Sequence, residues 1–294
     1  MERIKRALIV AAGFGTRFLP ASKAIPKVMF PVVDKPIVQY VVEELSEAGI
    51  KEIVFVLSPF TQDVREHFES FPALNALLEK SGKQKQIEEL KRIENLANFF
   101  YTEQRAGRHG IGVAVLSAKE FIKREPFILA WADDFFKCQP CRFSQLLQVY
   151  EQLGGSILGC VRTTNPKDGL KYGFITGEKI SPTVTKLKDI IEKPGEGKAP
   201  SDLASLSGMI LQPEIFDFLE ELDRKFPPEK ELYHVDGIKR MIEENMPVYG
   251  LEYQNARYFD TGDKFGYLKT MVELGLENEE LGASFRQYLQ SLNL

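Results

Sequence analysis

An α/β fold, with a mostly parallel mixed sheet and helices on both faces, is what this 294-residue sequence predicts. Three observations carry that expectation. Short apolar runs recur, each the length of a strand buried on both faces, as in Ile53-Val54-Phe55-Val56-Leu57 and Phe127-Ile128-Leu129-Ala130-Trp131-Ala132. Segments with apolar residues at helical spacing lie between them. The resulting β–loop–α–β order needs crossover connections, which make neighbouring strands parallel.

Taken in order, residues 5–11 read as the first buried strand. A helix follows over 36–48, with Ile37, Tyr40, Val41, Leu45 and Ala48 on one face and Gly49 as its stop. Residues 53–57 form the second strand. Residues 73–97 are polar and helix-rich, a solvated excursion rather than a binding surface. Phe99-Phe100-Tyr101 starts the next strand, followed by a loop over 104–112 and a helix over 113–123. The strand at 127–132 ends at Asp133-Asp134; a helix over 143–153 and a strand over 156–161 come next. From 172 to 211 short β-like runs (172–176, 184–191, 206–211) alternate with Gly- and Pro-rich stretches. Helices at 213–222 and 235–244, a strand at 247–253, and helices at 264–276 and 279–291 follow.

The chemistry concentrates where the first strand ends, at Ala11-Ala12-Gly13-Phe14-Gly15-Thr16-Arg17. Gly13 and Gly15 permit backbone conformations and close approaches that a Cβ forbids. Successive free N–H groups in such a loop make a nest for an anion. Arg17 and Lys27 add positive charge that can follow a polyphosphate as its charge redistributes. The loop is not the dinucleotide fingerprint, because Phe18 stands where the third glycine belongs, and the P-loop string is absent. A plain strand-to-helix turn is the alternative. In open α/β sheets, ligands bind beyond the carboxyl ends of strands. Asp133, also directly after a buried strand, is a metal-ligand candidate or a turn residue.

Composition excludes several functions. The net charge of −4 gives no basic face for nucleic acid. No apolar run approaches a bilayer span, so no membrane partner is expected. Met1-Glu2-Arg3-Ile4-Lys5-Arg6 leads into a strand rather than a cleavage site, which points to the cytoplasm. Of three cysteines, Cys138 and Cys141 form a C-x-x-C with no second pair and no histidine close in sequence. Reduced thiols are expected there, not a zinc site.

The whole string Gly13-x-Gly15-Thr16-Arg17-x-x-Pro20, with Ser22-Lys23, Pro26-Lys27 and then Phe30-Pro31-Val32-Val33-Asp34-Lys35-Pro36, resembles the sugar-nucleotidyltransferase superfamily. The uridylyltransferases that join UTP to glucose 1-phosphate are the most similar members. The resemblance implies a Rossmann-like nucleotidyltransferase fold with a small β-rich sugar-binding part and C-terminal helices. It implies one domain, with a nucleotide-binding half over 1–162, a sugar-binding half over 163–262 and helices over 263–294. It also implies in-line attack by a sugar 1-phosphate oxygen on the α-phosphorus of a nucleoside triphosphate, with small-molecule substrates and a homo-oligomeric assembly.

Residue by residue, the resemblance assigns catalysis to Arg17 and Lys27. Nucleotide binding falls to Ala11, Ala12, Gly13, Gly15, Thr16, Arg105, Gly110 and Gly112. Asp133 and Asp260 hold Mg2+, Asp260 lying in a segment, Asp260-Thr261-Gly262-Asp263-Lys264-Phe265-Gly266-Tyr267, that matches the family's D-x-G-x-x-x-G-Y. Gly173, Glu192, Lys193 and Gly208 bind the sugar, matching Tyr-Gly, Glu-Lys-Pro and small-Gly pairs of the family. From the residues alone, Asp260 is equally a helix cap and Glu192-Lys193 an exposed ion pair.

Several family positions have changed. Val28 replaces a Glu, Val113 a His and Met209 an Arg. Gln104-Arg105-Ala106 stands where Arg-Gln-Gly reads the uracil, and Glu231-Leu232-Tyr233-His234-Val235-Asp236 replaces Glu-Ile-Gln-Leu-Thr-Asp. A guanidinium donates but cannot accept, so Arg105 cannot pair with the base as an amide does. UTP with poor discrimination against dTTP is therefore the expectation. The same chemistry with dTTP or CTP is one alternative, and a weakly active regulatory binder of nucleotide-sugar is another. Asp133-Asp134 does not have the D-x-D spacing of a metal-dependent glycosyltransferase.

Overall fold

β1 (Arg6–Val10) is buried on both faces because Ala7, Leu8 and Ile9 leave it no polar side. The computed structural model describes residues 3–292. After β1, three single 3-10 turns fold the chain back over the strand's end, and they carry Arg17 and Lys27. A hairpin of β2 (Pro31–Val32) and β3 (Lys35–Pro36) leads to α1 (Ile37–Glu47) and β4 (Glu52–Leu57). α2 (Asp63–Phe68), α3 (Pro72–Lys80) and α4 (Gln84–Glu94) form the polar excursion before β5 (Asn98–Glu103). Next come α5 (Ile111–Ser117), α6 (Lys119–Ile122), β6 (Phe127–Trp131), β7 (Asp134–Lys137), α7 (Arg142–Leu153) and β8 (Ser156–Arg162). Three long strands follow: β9 (Gly173–Lys179), β10 (Val184–Glu192) and β11 (Leu203–Leu211). α8 (Ile215–Lys225), α9 (His234–Glu243), β12 (Val248–Glu252), β13 (Arg257–Asp260), α10 (Lys264–Glu277) and α11 (Gly282–Ser291) complete the fold.

Nine strands form one sheet in the order β5-β4-β1-β6-β11-β8-β12-β10-β9. Seven run in one direction; β10 and β11 run in the other. Helices cover both faces. On one, Val41 and Leu45 of α1 pack with Phe143 and Leu146 of α7. On the other, Leu116, Phe216, Leu219 and Ile238 join α5, α8 and α9.

The sheet splits where the cleft lies. Ala204 and Ser205 of β11 pair with β9, while Met209 to Leu211 pair with β6. The register of β11 shifts between Ser205 and Met209 as it changes neighbours. The β9 pairing closes β11, β8, β12, β10 and β9 into a ring, and the gap it leaves beside β6 opens at the carboxyl end of β1.

Two local features differ from expectation. The helix expected over 113–123 is two helices meeting at Ala118; the turn lets Leu116 and Ile122 both reach one apolar layer. β7 and β13 are an unanticipated antiparallel pair, with Asp260 opposite Asp134 and Phe259 opposite Phe135. Strands of four residues carry too little periodicity to register, and each finds its partner far away in sequence. Among the described residues no helix is long and apolar enough to cross a membrane. Cys138, Cys141 and Cys160 are free thiols, and burial pushes Cys138 up to about 12.

Candidate active site

A cleft of about 470 Å3 lies at the split, with the 11–17 loop as one wall and β9, β10 and the start of α9 as the other. Gly15 adopts φ +61°, and a methyl there would stand 3.1 Å from Ser22 Cβ and 3.4 Å from Lys27 Cβ. The Ser22 hydroxyl donates to the Gly15 carbonyl at 2.7 Å, which fixes the turn. Gly13 has no such strain; its nearest neighbour would be Lys27 Cε at 3.9 Å, so its bareness leaves the loop face open. Ala11, Gly13, Gly15, Thr16, Arg17 and Lys27 all line the cleft.

The two carboxylates meet because β7 and β13 pair. The Thr261 hydroxyl donates to the Asp133 carbonyl at 2.5 Å, stapling the two strand ends together. Lys27 Nζ forms an ion pair with Asp133 Oδ2. The Asp260 carboxylate accepts from the Gly262 N–H at 2.8 Å and from the Tyr172 hydroxyl at 3.0 Å. Arg17 donates to the Gly262 carbonyl at 3.2 Å. A methyl on Gly262 would stand 2.9 Å from Asp260 Oδ1, 3.6 Å from Asp133 Oδ2 and 3.8 Å from Arg17 Nη1. Both acids and the guanidinium therefore converge on one point. Hard carboxylate oxygens beside a phosphate loop suit a divalent cation that takes its other ligands from phosphate and water. Among the described residues no cluster of three or more His, Cys, Asp or Glu offers an all-protein cage.

Beneath this point lies a charged network that the sequence does not announce. Arg142, fully buried, lies 3.2 Å from Asp134 Oδ1 and 3.1 Å from Glu44 Oε2. The Tyr258 hydroxyl donates to Asp134 at 3.3 Å. Burial outweighs the guanidinium and pushes both Asp134 and Glu44 up to about 7.

On the far wall, Glu192 ends β10, and burial raises its carboxyl above the usual range. A methyl at Gly173 would stand 3.0 Å from Glu192 Oε2, so the glycine leaves that carboxylate accessible. Lys193 has φ +46°, a strained value for a side-chain-bearing residue, held by its N–H donating to the Tyr172 carbonyl at 3.1 Å. Its ammonium lies 3.7 Å from Glu192 Oε1 and 5.0 Å from the Tyr233 ring centroid.

Five of the expected residues do not line the cleft: Ala12, Arg105, Gly110, Gly112 and Gly208. Arg105 lies exposed on its loop, and its backbone N–H donates to the Ser117 hydroxyl at 3.0 Å. Gly110 and Gly112 serve packing instead. Methyls there would stand 2.2 Å from the Leu232 carbonyl oxygen and 2.8 Å from Leu232 Cγ, and the Gly112 N–H is already donated to that carbonyl. Gly208, at φ +96°, backs onto the Tyr253 hydroxyl, 2.5 Å from where its Cβ would be. Ala12 points into the core. Val113 is core as well, whereas Val28 is buried yet reaches the cleft. Residues given no role from the sequence that line it include Trp131, Lys171, Tyr172, Tyr233 and His234. The signal for Tyr172 was its place before Gly173, and for Tyr233 and His234 their place in the changed 231–236 segment; Trp131 carried none beyond ending the apolar strand before Asp133.

A glycine loop at a strand's carboxyl end, with Arg17, Lys27 and two converging carboxylates lining a cleft in a split α/β sheet, is an arrangement that suits the transfer of nucleotides. The chain belongs to the nucleotidyl transferase family, whose profile matches residues 6–275. A UTP–glucose-1-phosphate uridylyltransferase of Staphylococcus epidermidis is 38% identical over 294 residues, all of both chains. That of Staphylococcus haemolyticus is 38% identical over 292 residues, 99% of each. UDP-glucose pyrophosphorylase from Acinetobacter baumannii superposes with a TM-score of 0.88 at 31% identity, covering 99% of this chain and all of that one. A UDP-glucose pyrophosphorylase complexed with UDP-glucose superposes with a TM-score of 0.80 at 32% identity, covering 94% of this chain and all of the other.

Proposed function

We propose that this chain transfers the uridylyl group of UTP to glucose 1-phosphate, releasing pyrophosphate and forming UDP-glucose. The observation that carries the reading is the convergence of Arg17, Asp133 and Asp260 on Gly262, with Lys27 paired to Asp133, at the mouth of the 11–17 loop. Relatives with that activity in their names, matched over their full length, support it.

The sugar phosphate oxygen is already an anion, so no protein nucleophile is needed. It bonds to the α-phosphorus while the bond from that phosphorus to the bridging oxygen of the β-phosphate breaks, and pyrophosphate leaves with the electron pair. The protein's part is to hold two mutually repelling anions in line and neutralise the charge that builds up. Backbone groups of residues 13–16 cradle the triphosphate. Arg17 and Lys27 take up charge as it moves toward the leaving oxygens. Tyr172 and the Gly262 N–H orient Asp260, and Thr261 keeps Asp133 beside it. Asp133 and Asp260 would hold Mg2+, which when bound screens the phosphates and polarises the α-phosphoryl group. Glu192 receives the hexose hydroxyls and Lys193 the sugar phosphate. Backbone groups of the 11–13 segment read the base; Arg105 stands outside the cleft. The setting is the cytoplasm, and the assembly a homo-oligomer. Exposed Phe265, Leu268 and Val272, at helical spacing on α10, offer a self-association face that light scattering tests.

The deciding experiment measures pyrophosphate release from each nucleoside triphosphate with glucose 1-phosphate. Release with UTP is the expected outcome. No release with any nucleotide sinks the reading and favours a nucleotide-sugar binder, whereas release with dTTP or CTP but not UTP keeps the chemistry and changes the substrate.

A further inference from the structure

The first turn of α9 carries a histidine that the reaction described above does not use. His234 is only 4% exposed yet lines the cleft, and its Nδ1, itself buried, has no hydrogen-bond partner among the described residues. The ring is firmly held. Trp131, at the end of β6, meets it edge to face with centroids 5.0 Å apart. The preceding segment is clamped to the 109–112 loop: the Gly112 N–H donates to the Leu232 carbonyl at 2.8 Å, and the Leu232 N–H to the His109 carbonyl at 3.0 Å. The Tyr233 N–H donates to the Asp236 carboxylate at 2.9 Å, anchoring the helix start. The close approach that leaves Gly110 and Gly112 no room for a Cβ is the same one that sets this imidazole in place.

Its surroundings select the ligand chemistry. Burial first, and the nearby Lys193 second, push the imidazole pKa down to about 3, so the ring is neutral at working pH. A neutral imidazole offers one donor and one acceptor, a poor match for a phosphate dianion and a good one for a hydroxyl. Lys193 already supplies the cation on this wall. α9 packs against β10, the strand that ends at Glu192, and His234 and Glu192 both line the cleft. A buried polar atom without a partner is costly in the free protein, and a ligand hydroxyl brought against this ring offers it one.

We propose that His234, braced by Trp131, is a specificity-determining residue that hydrogen-bonds a ring hydroxyl of the sugar 1-phosphate. The inference rests on the uridylyl-transfer reading of the same cleft. A site built to pair with a hydroxyl discriminates strongly against an analogue lacking it, whereas an apolar replacement discriminates little.

The test compares the natural protein with His234→Leu and His234→Gln, using UTP with glucose 1-phosphate and its 2-, 3-, 4- and 6-deoxy analogues. In the leucine variant kcat/KM for glucose 1-phosphate should fall by about 10²-fold while one deoxy analogue, missing the contacted hydroxyl, is nearly unaffected. The glutamine variant, which keeps a donor and an acceptor, should recover part of the selectivity; it carries the same readout if the leucine variant does not fold. KM for UTP should stay unchanged in both. Uniform loss across every deoxy analogue, or a rise in KM for UTP with unchanged sugar selectivity, overturns the assignment of His234 and leaves uridylyl transfer intact. Absence of pyrophosphate release by the natural protein overturns both.

Discussion

Asp133 and Asp260 are tied to each other by Thr261 and aimed at one point with Arg17, so their replacement tests the chemistry without disturbing the scaffold. Asparagine keeps the shape of aspartate and removes a hard anionic ligand. Asp133→Asn and Asp260→Asn should each lower kcat by about 10²-fold or more, the scale of losing one preorganised charge, with an unchanged melting temperature. Near-normal turnover at low Mg2+ would remove them from the metal site. Lys27 should act on the transition state more than on bound UTP. Lys27→Ala is expected to lower kcat more than it raises KM for UTP; a pure KM effect would make it a binding residue. At the base, no side chain from 104–106 reaches the cleft. We therefore expect UTP to be preferred over dTTP by less than about 200-fold in kcat/KM, since the base methyl of dTTP is weakly discriminated and no side chain is assigned to the ribose 2′-hydroxyl that dTTP lacks. Rejection of dTTP by several orders of magnitude would mean that a side chain reads the base or the ribose 2′-hydroxyl after all, and 5-methyl-UTP, which keeps that hydroxyl, separates the two.

At the scale of elements, two close approaches hold the cleft's walls in register. One is the pairing of β7 with β13; the other is the docking of the 109–112 loop on Leu232. Gly110, at φ +116°, faces the Leu232 carbonyl oxygen, while Gly107, at φ +104°, has nothing within 4 Å of where its Cβ would be. Both substitutions to alanine meet the backbone penalty, of about 1–3 kcal/mol, but only Gly110→Ala adds a collision. Thermal melts should show a clearly larger loss for Gly110→Ala, together with altered sugar selectivity as His234 moves. Equal losses would show that the loop tolerates displacement.

For the molecule as a whole, Arg142 joins α7 to α1 through Glu44 and to β7 through Asp134. Removing it leaves two carboxyls in the interior without a counter-charge, a loss of about 3–5 kcal/mol where they are ionised. Both carboxyls are pushed up to about 7 by burial, above their unfolded values. Their contribution to stability is thus fully present below about pH 4 and is lost as pH rises through about 7. Without the guanidinium the rise in pKa is larger. The melting temperature of Arg142→Met should therefore fall further below that of the natural protein at pH 8 than at pH 5.5. A pH-independent difference would mean that the pair is not what the guanidinium neutralises.

The sequence by itself determined the buried strands, because an apolar run leaves a segment no stable place except between two layers. It also determined most helix positions and the glycine loop after β1, since Gly15 at φ +61° is a local backbone requirement and Arg17 and Lys27 lie close to it in the chain. Resemblance pointed to Asp133, Asp260, Glu192 and Lys193, which the fold gathers into one cleft. Only tertiary structure decided what Gly110, Gly112 and Gly208 accommodate: Leu232 and Tyr253, more than 40 residues away in each case. It alone placed Arg105 outside the cleft and Trp131 and His234 within it. The physical reason is that local patterning records which face of a segment avoids water. Which side chains share a cavity depends on how strands such as β7 and β13, too short to announce themselves, find partners across the fold.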